Sequence, residues 1–337
     1  GIDSPHILQP RNTIRITAPL RSRKVSEGKN YQLSLGAAVT YTEDKNTYGE
    51  VERSFLDAGQ NPPAGVLINY FLPEEINEEL SLTFLDQSGI AIVTYSNGVA
   101  ANSSSEEESD QLSIASNIGM NRFIWDMRYP PANKVPGDKT TEDRVVSGPV
   151  APPGRYTVVL KCAGTEKSKT FEIIKDPRVE ASQKELEDQF NLLLLIRDRL
   201  SETHDSINRI RSVCSQVNEW TQRAIGHSSE TLVTEAAEKI TGKLSAIEAE
   251  LIQTEYQGAR DRLNLPTRLN SKLSEITSVV SAGDFAPTRQ SYEVFQAVSN
   301  EIEPHLVTLQ DTIDEDVKDF DNLVQELGLP AVVVRPQ

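Results

Sequence analysis

The spacing of apolar residues changes at Asp176-Pro177, and that change limits what this chain can fold into. Before the dipeptide, apolar residues recur at every second position. After it they recur every third or fourth. A period of two puts one set of side chains on one face of a strand, and a period near 3.6 puts them on one stripe of a helix. One core built from strands and another built from helices therefore follow one another along the chain. With 337 residues there is enough sequence to bury both.

The strand-like half has four clear segments. GVLINYFL lies between Asn61-Pro62-Pro63 and Pro73 and is rich in β-branched and aromatic residues. Leu80, Leu82 and Phe84 then alternate, Asp86-Gln87-Ser88-Gly89 turns, and Ile90, Ile92 and Val93 return as a hairpin. In GMNRFIWDMRYPP, Phe123, Trp125 and Met127 share a face, with Ile124 on the other. PGRYTVVLKCAGTEKSKTFEIIKDP forms a second hairpin, in which Phe171 and Ile173 answer Tyr156, Val158 and Leu160. Upstream, Ile14 and Ile16 alternate with polar residues, and YQLSLGAAVTY is a further apolar stretch. Residues 130–153 are rich in Pro, Gly, Thr and charge and read as a long loop.

The helical half opens with Ser182 and Glu185, three residues apart as in a capping box. The stripe of Leu193, Ile196, Leu200, Ile207, Ile210, Cys214 and Val217 extends this first helix to Arg223, about 60 Å at 1.5 Å per residue. A second helix, capped by Ser228 or Ser229, carries Val233, Ala236, Ile240, Leu244, Ile247 and Leu251. A third begins near Pro266 with Leu269, Leu273, Ile276 and Val279 and stops at Gly283. The fourth starts at Thr288, runs from Phe295 to Val324, should kink at Pro304, and stops at Gly328-Leu329-Pro330.

The expected fold is thus α+β and multidomain: an Ig- or fibronectin-like antiparallel β-sandwich followed by an antiparallel helical bundle. The expected boundaries are 1–60 for an extended lead-in, 61–178 for the sandwich, 179–330 for the bundle and 331–337 for a tail whose AVVV can add a strand.

Charge narrows the partners. The net charge is −16, of which residues 179–337 hold 15 Lys+Arg against 27 Asp+Glu, or −12. An acidic chain does not neutralise a phosphate backbone or seek an anionic bilayer, so nucleic acid is excluded. No run of about 18 apolar residues is present to span a membrane. Cys162 and Cys214 fall in different domains, too few for a disulfide framework, and read as free thiols.

The search for chemistry yields one candidate constellation. Trp125, Asp126, Arg128 and Tyr129 combine aromatic, acidic and basic groups in five residues, a set that can hold a sugar. On a strand, Asp126 and Arg128 share a face and can equally pair across solvent. His6, His204, His227 and His305 lack metal-ligand spacing with each other or with cysteine, and His204 and His305 read as residues at the edge of the helical stripe. Glu106, Glu107, Glu108 and Asp110 lack the turn glycine of a calcium loop and read as a solvated acidic loop, beside an Asn102-Ser103-Ser104 sequon. No nucleophile elbow, phosphate loop or dinucleotide fingerprint is present, so no cofactor, metal or catalytic residue is expected.

Several segments together are similar to a known family: QNPPAGVLINYFL, TFLDQSG, GMNRFIWDMRYP, PPGRYTVVLK and KDPRVEASQKELEDQFNLLLLIRDRLSETHDSINRIR. The combination resembles the C-terminal region of bacterial proteins with sortilin-like, BNR-repeat β-propellers, often labelled glycosyl hydrolase or sialidase-like. The repeated Ser-x-Asp-x-Gly-x-x-Trp box of the propeller is absent here, so no catalytic residue carries over. The resemblance implies a non-enzymatic docking or assembly module of an exported protein. Its partners would be the parent propeller, another protein, or a second copy through the bundle. The alternative it implies is a carbohydrate-binding accessory module, with a glycan at Trp125, Asp126, Arg128 and Tyr129. The start at Gly1 reads as that of a fragment, so the lack of a signal peptide does not weigh against export.

Overall fold

The computed structural model describes residues 4–16, 26–34, 37–45, 51–59, 65–76, 78–98, 113–141, 148–162, 164–257 and 261–329. The acidic loop at Glu106–Asp110, the sequon at Asn102, the Asn61-Pro62-Pro63 turn and the AVVV tail lie outside them. The chain is α+β, with mostly antiparallel sheets first and helices after. It divides into two compact units. One is Gly1–Pro130 with Pro149–Phe190, and the other is Pro131–Gly148 with Asn191–Gln337.

The first unit holds strands β1 (His6–Ile7), β2 (Thr13–Arg15), β3 (Asn30–Ser34), β4 (Ala37–Lys45), β5 (Val51–Phe55), β6 (Val66–Leu72), β7 (Leu80–Leu85), β8 (Ala91–Ser96), β9 (Gly119–Trp125), β10 (Gly154–Cys162) and β11 (Thr165–Lys175). They form three sheets, in the orders β1-β6-β9, β2-β11-β10-β7-β8 and β3-β4-β5. The first two sheets enclose one apolar core. Val66, Ile68, Tyr70 and Leu72 of β6 and Phe123 and Trp125 of β9 meet Leu80, Leu82 and Phe84 of β7, with Tyr156, Val158 and Leu160 of β10 and Phe171 and Ile173 of β11. Each set alternates along its strand, as a period of two requires, and Ser81 and Val159 between them are buried as well. Asp86 accepts from the Ser88 and Ile90 amides through its carboxylate, and Gly89 takes a φ of 79° to close the expected turn. Ile90 sits in that turn and is exposed, while Ile92 returns to the core.

The lead-in region departs from its sequence reading. It supplies β1 to pair antiparallel with β6 and β2 to pair parallel with β11, so the two-sheet core does not begin at residue 61. The face of β2 is also reversed. Ile14 is 44% exposed and Ile16 is exposed too, whereas Arg15 between them is 5% exposed. Arg15 turns inward because its Nε donates to the Ala151 carbonyl at 3.2 Å, which satisfies a buried guanidinium. The meander β3-β4-β5 is inserted between β2 and β6, held by Tyr41 on Phe55 and by Arg53 over the Tyr41 ring and on Glu43.

Gly65 enters β6 with a φ of 136°, and a Cβ there would lie 2.4 Å from the Trp125 carbonyl oxygen. Only glycine fits both the dihedral and the space.

The helices are α1 (Gln183–Ala224), α2 (Glu230–Leu251), α3 (Leu269–Val280), α4 (Arg289–Thr312) and α5 (Lys318–Glu326), with a π turn at Ile313–Val317 between the last two. The capping box forms as read. The Ser182 amide donates to Glu185 Oε2 at 2.7 Å, and the Glu185 amide donates to Ser182 Oγ. Such a cap is worth about 1 kcal/mol. Ser229 precedes α2 but makes no side-chain cap; Glu230 instead reaches back to the Gly226 amide. Thr288 Oγ1 caps α4 by accepting from the Ser291 amide. Pro304 lies inside α4, and the helix continues through it. On α3 the buried valine is Val280, at 1% exposure, and Val279 faces out. The second unit has its own core, built from α1 after Phe190 and from α2 to α5. Ala132 and Val135 join it from the long loop expected at 130–153.

Replacing Gly65 by alanine should lower unfolding free energy in urea by about 1–3 kcal/mol, because the added Cβ must displace β9 backbone. Unchanged stability would show that this approach is not as close as described.

Candidate functional site

The sequence points to Trp125, Asp126, Arg128 and Tyr129, and these residues occupy the end of β9 and the turn after it. Trp125 is fully buried. Its ring stacks on Phe84 with centroids 4.5 Å apart and meets Tyr156 and Phe171 edge-on. Its indole Nε1 donates to the Arg128 carbonyl at 3.2 Å, so the polar handle is used within the turn. Trp125 therefore has no open face for a ligand, and its place among the candidate ligand-binding residues is corrected to a core position.

The turn itself is tightly specified. Met127 adopts a φ of 63°, which side-chain-bearing residues seldom do, and its side chain is buried. Three bonds hold it there. Asp126 Oδ1 accepts from the Arg128 amide at 3.0 Å, the Met127 carbonyl accepts from the Ala151 amide at 2.7 Å, and the Tyr129 amide donates to the Pro149 carbonyl at 2.9 Å. Asp126 and Arg128 thus come together, but through the Arg128 backbone. The Arg128 guanidinium is half-buried, and burial lowers its pKa, partly offset by the charge of Asp126 and reinforced by Arg15. Tyr129 packs its ring edge on Phe190 at 4.7 Å, and burial, with the nearby Asp86 charge, pushes its phenol up to about 12. The phenol is therefore neutral across the physiological range and is no candidate base. Of the four residues, only Asp126 is exposed.

Two further places concentrate polar groups, both in the helical unit. A surface groove of about 400 Å³ is lined by residues of α2, α4 and the π turn, including Lys243, Ile247, His305, Asp311, Glu315 and Asp316. Lys239 and Lys243 both bridge to Asp316, whose carboxyl is held below its ordinary range first by Lys239 and then by Lys243. The groove has no hydrogen-bonded nucleophile and base among its described residues. The second place surrounds His204. Sequence spacing put this residue at a stripe edge, yet it is 1% exposed, with Nδ1 2.6 Å from the Asn133 carbonyl oxygen. Its burial was not legible because the covering segment carries no period. Among the described residues, no group of three His, Cys, Asp or Glu side chains is placed to hold a metal ion. No described helix is long and apolar enough to cross a membrane.

Comparison with known proteins gives no match to any family model, curated protein or solved structure.

Truncating Trp125 to alanine should cost about 3–5 kcal/mol of stability, the usual range for deleting a buried large aromatic. Asp126→Leu, which removes one turn bond on an exposed residue, should cost much less. Urea denaturation of both variants checks the order; a Trp125 variant as stable as the parent would restore that ring to the candidate surface.

Proposed function

We propose that this chain is a structural and interaction module, an Ig-like β-sandwich followed by an antiparallel helical bundle, belonging to a larger, exported, propeller-containing protein. Its role is docking or assembly and not catalysis. The observation that carries this reading is how the richest cluster of aromatic and charged residues is used. Trp125 fills the core, Asp126 and Met127 fix the turn, and Tyr129 packs on Phe190. The segments that resemble the propeller-associated family include this strand and turn, so the resemblance rests on residues that shape the fold.

Two enclosed cores support a sandwich and a bundle as the architecture. The acidic helical half favours a partner surface with basic character, since like charges oppose association. Glycan binding at the end of β9 would need an aromatic face open to solvent, and Trp125 is fully buried while the half-buried Tyr129 packs on Phe190.

The test is a pull-down of this chain with the separately produced propeller of its parent protein. Docking predicts a stoichiometric complex that weakens as salt rises. Failure to bind at low salt would contradict docking on the propeller.

A further inference from the structure

The segment Pro131–Thr141 leaves β9 and is held along one side of α1 by a ladder of polar bonds. The Asn133 amide donates to Ser201 Oγ at 3.1 Å, and Asn133 Nδ2 donates to both oxygens of Asp205 at 2.9 Å. Asn208 Nδ2 donates to the Lys134 carbonyl at 2.9 Å, and Arg211 Nη1 to the Pro136 carbonyl at 3.2 Å. Positions 201, 204, 205, 208 and 211 follow the i, i+3, i+4, i+7 pattern of one helix face. At the far end, Thr140 is held by Asn270 and Ser271 of α3. Beside these anchors, Ala132 and Val135 are buried in the helical core. The segment is a strap whose attachment is mostly polar.

His204 is the member of this ladder whose side-chain type titrates nearest neutral pH. A carbonyl oxygen only accepts, so His204 Nδ1 must carry a proton to bond Asn133 at 2.6 Å. In the neutral ring Nε2 is then bare, and it is buried with no hydrogen-bond partner among the described residues. Adding a proton there creates a charge and a donor in a buried place that offers no acceptor. Neighbouring charges come from two elements. Asp205 on α1 is spent on Asn133, and Asp138 on the strap accepts from the Thr140 amide and from the Thr140 and Thr141 hydroxyls. The strap's bonds to α3 are with the neutral Asn270 and Ser271, and Glu248 of α2 is paired with Arg211.

We infer that the strap Pro131–Thr141 is an acid-released latch on the helical unit, with His204 as the group whose protonation opens it. Release uncovers the apolar positions that Ala132 and Val135 occupy. Burial outweighs the Asn133 hydrogen bond and the charges of Asp138 and Asp205, which all favour the protonated ring, and lowers the His204 pKa from its ordinary 6.5. The opened strap therefore binds the proton more readily than the closed one. Closure is favoured above pH 6.5 and loses that advantage as pH falls through the depressed pKa of the closed state. With the open-state pKa near 6.5, the opening equilibrium at pH 5 rises by a ceiling of roughly 30-fold.

The test is amide hydrogen exchange of Asn133 and Asp138 in the full chain from pH 7.5 to 5.0, corrected for intrinsic exchange. The Val158 amide in β10 serves as the control. The latch predicts that strap opening rises as pH falls, within the roughly 30-fold ceiling, while Val158 stays constant. In His204→Asn, whose amide can still donate to the Asn133 carbonyl, the strap should stay protected and lose its pH dependence. Strap opening that ignores pH, or an equal rise in His204→Asn, would overturn the inference. Because that variant can fail to fold, the His204 ring is also titrated by NMR in the parent chain. A midpoint below 6.5 is required, and one at or above 6.5 overturns the latch.

Discussion

Phe84 lies against Trp125, one ring from the five-stranded sheet and one from the β1-β6-β9 sheet, within the apolar core that these two sheets enclose. Phe84 also meets Tyr95, Phe123 and Phe171, so one side chain links four strands. Aromatic pairs of this kind contribute about 0.5–1.5 kcal/mol beyond the area they bury. The stack sets constraints on its neighbours. Gly65 must be glycine because β6 passes close to the Trp125 carbonyl, and Met127 must take a positive φ to return the chain toward Ala151 after Trp125. The turn that looked most like a ligand site from its composition is thus the turn this packing requires.

The helical unit is held by a different balance. Its apolar stripes form the core, and the strap from Pro131 to Thr141 adds two small apolar residues and many polar bonds. Polar attachment gives modest net stability per bond but is costly where a buried group loses its partner. That asymmetry is why a single histidine can matter to a segment of eleven residues.

Periodic features were legible in the sequence and aperiodic ones were not. Phe123 and Trp125 could be placed on one face because alternation alone decides it, and the Ser182–Glu185 box could be placed because its spacing is its mechanism. The reversal of β2 was hidden, since Ile14 and Ile16 look like the inward pair until Arg15 finds the Ala151 carbonyl 136 residues away. The choice of Val280 over Val279 was hidden too, because adjacent valines at a helix end differ by only one step of rotation. The strap looks like a plain loop in the sequence because its order comes from side chains of α1 and α3, which leave no pattern in the strap itself. Of the candidate site, the residues were found but not their use: composition shows that Trp125 and Arg128 are near each other, and only packing shows that the indole is spent on the Arg128 carbonyl.

The central claim is that Trp125 is a buried keystone of the β unit and not part of a binding face. The chain has two tryptophans, so Trp220→Phe leaves Trp125 as the only indole emitter. The most direct measurement is the fluorescence of that variant with and without iodide. A buried Trp125 predicts blue-shifted emission that iodide does not quench until the protein is unfolded. Red-shifted emission quenched by iodide in the folded protein would contradict the account.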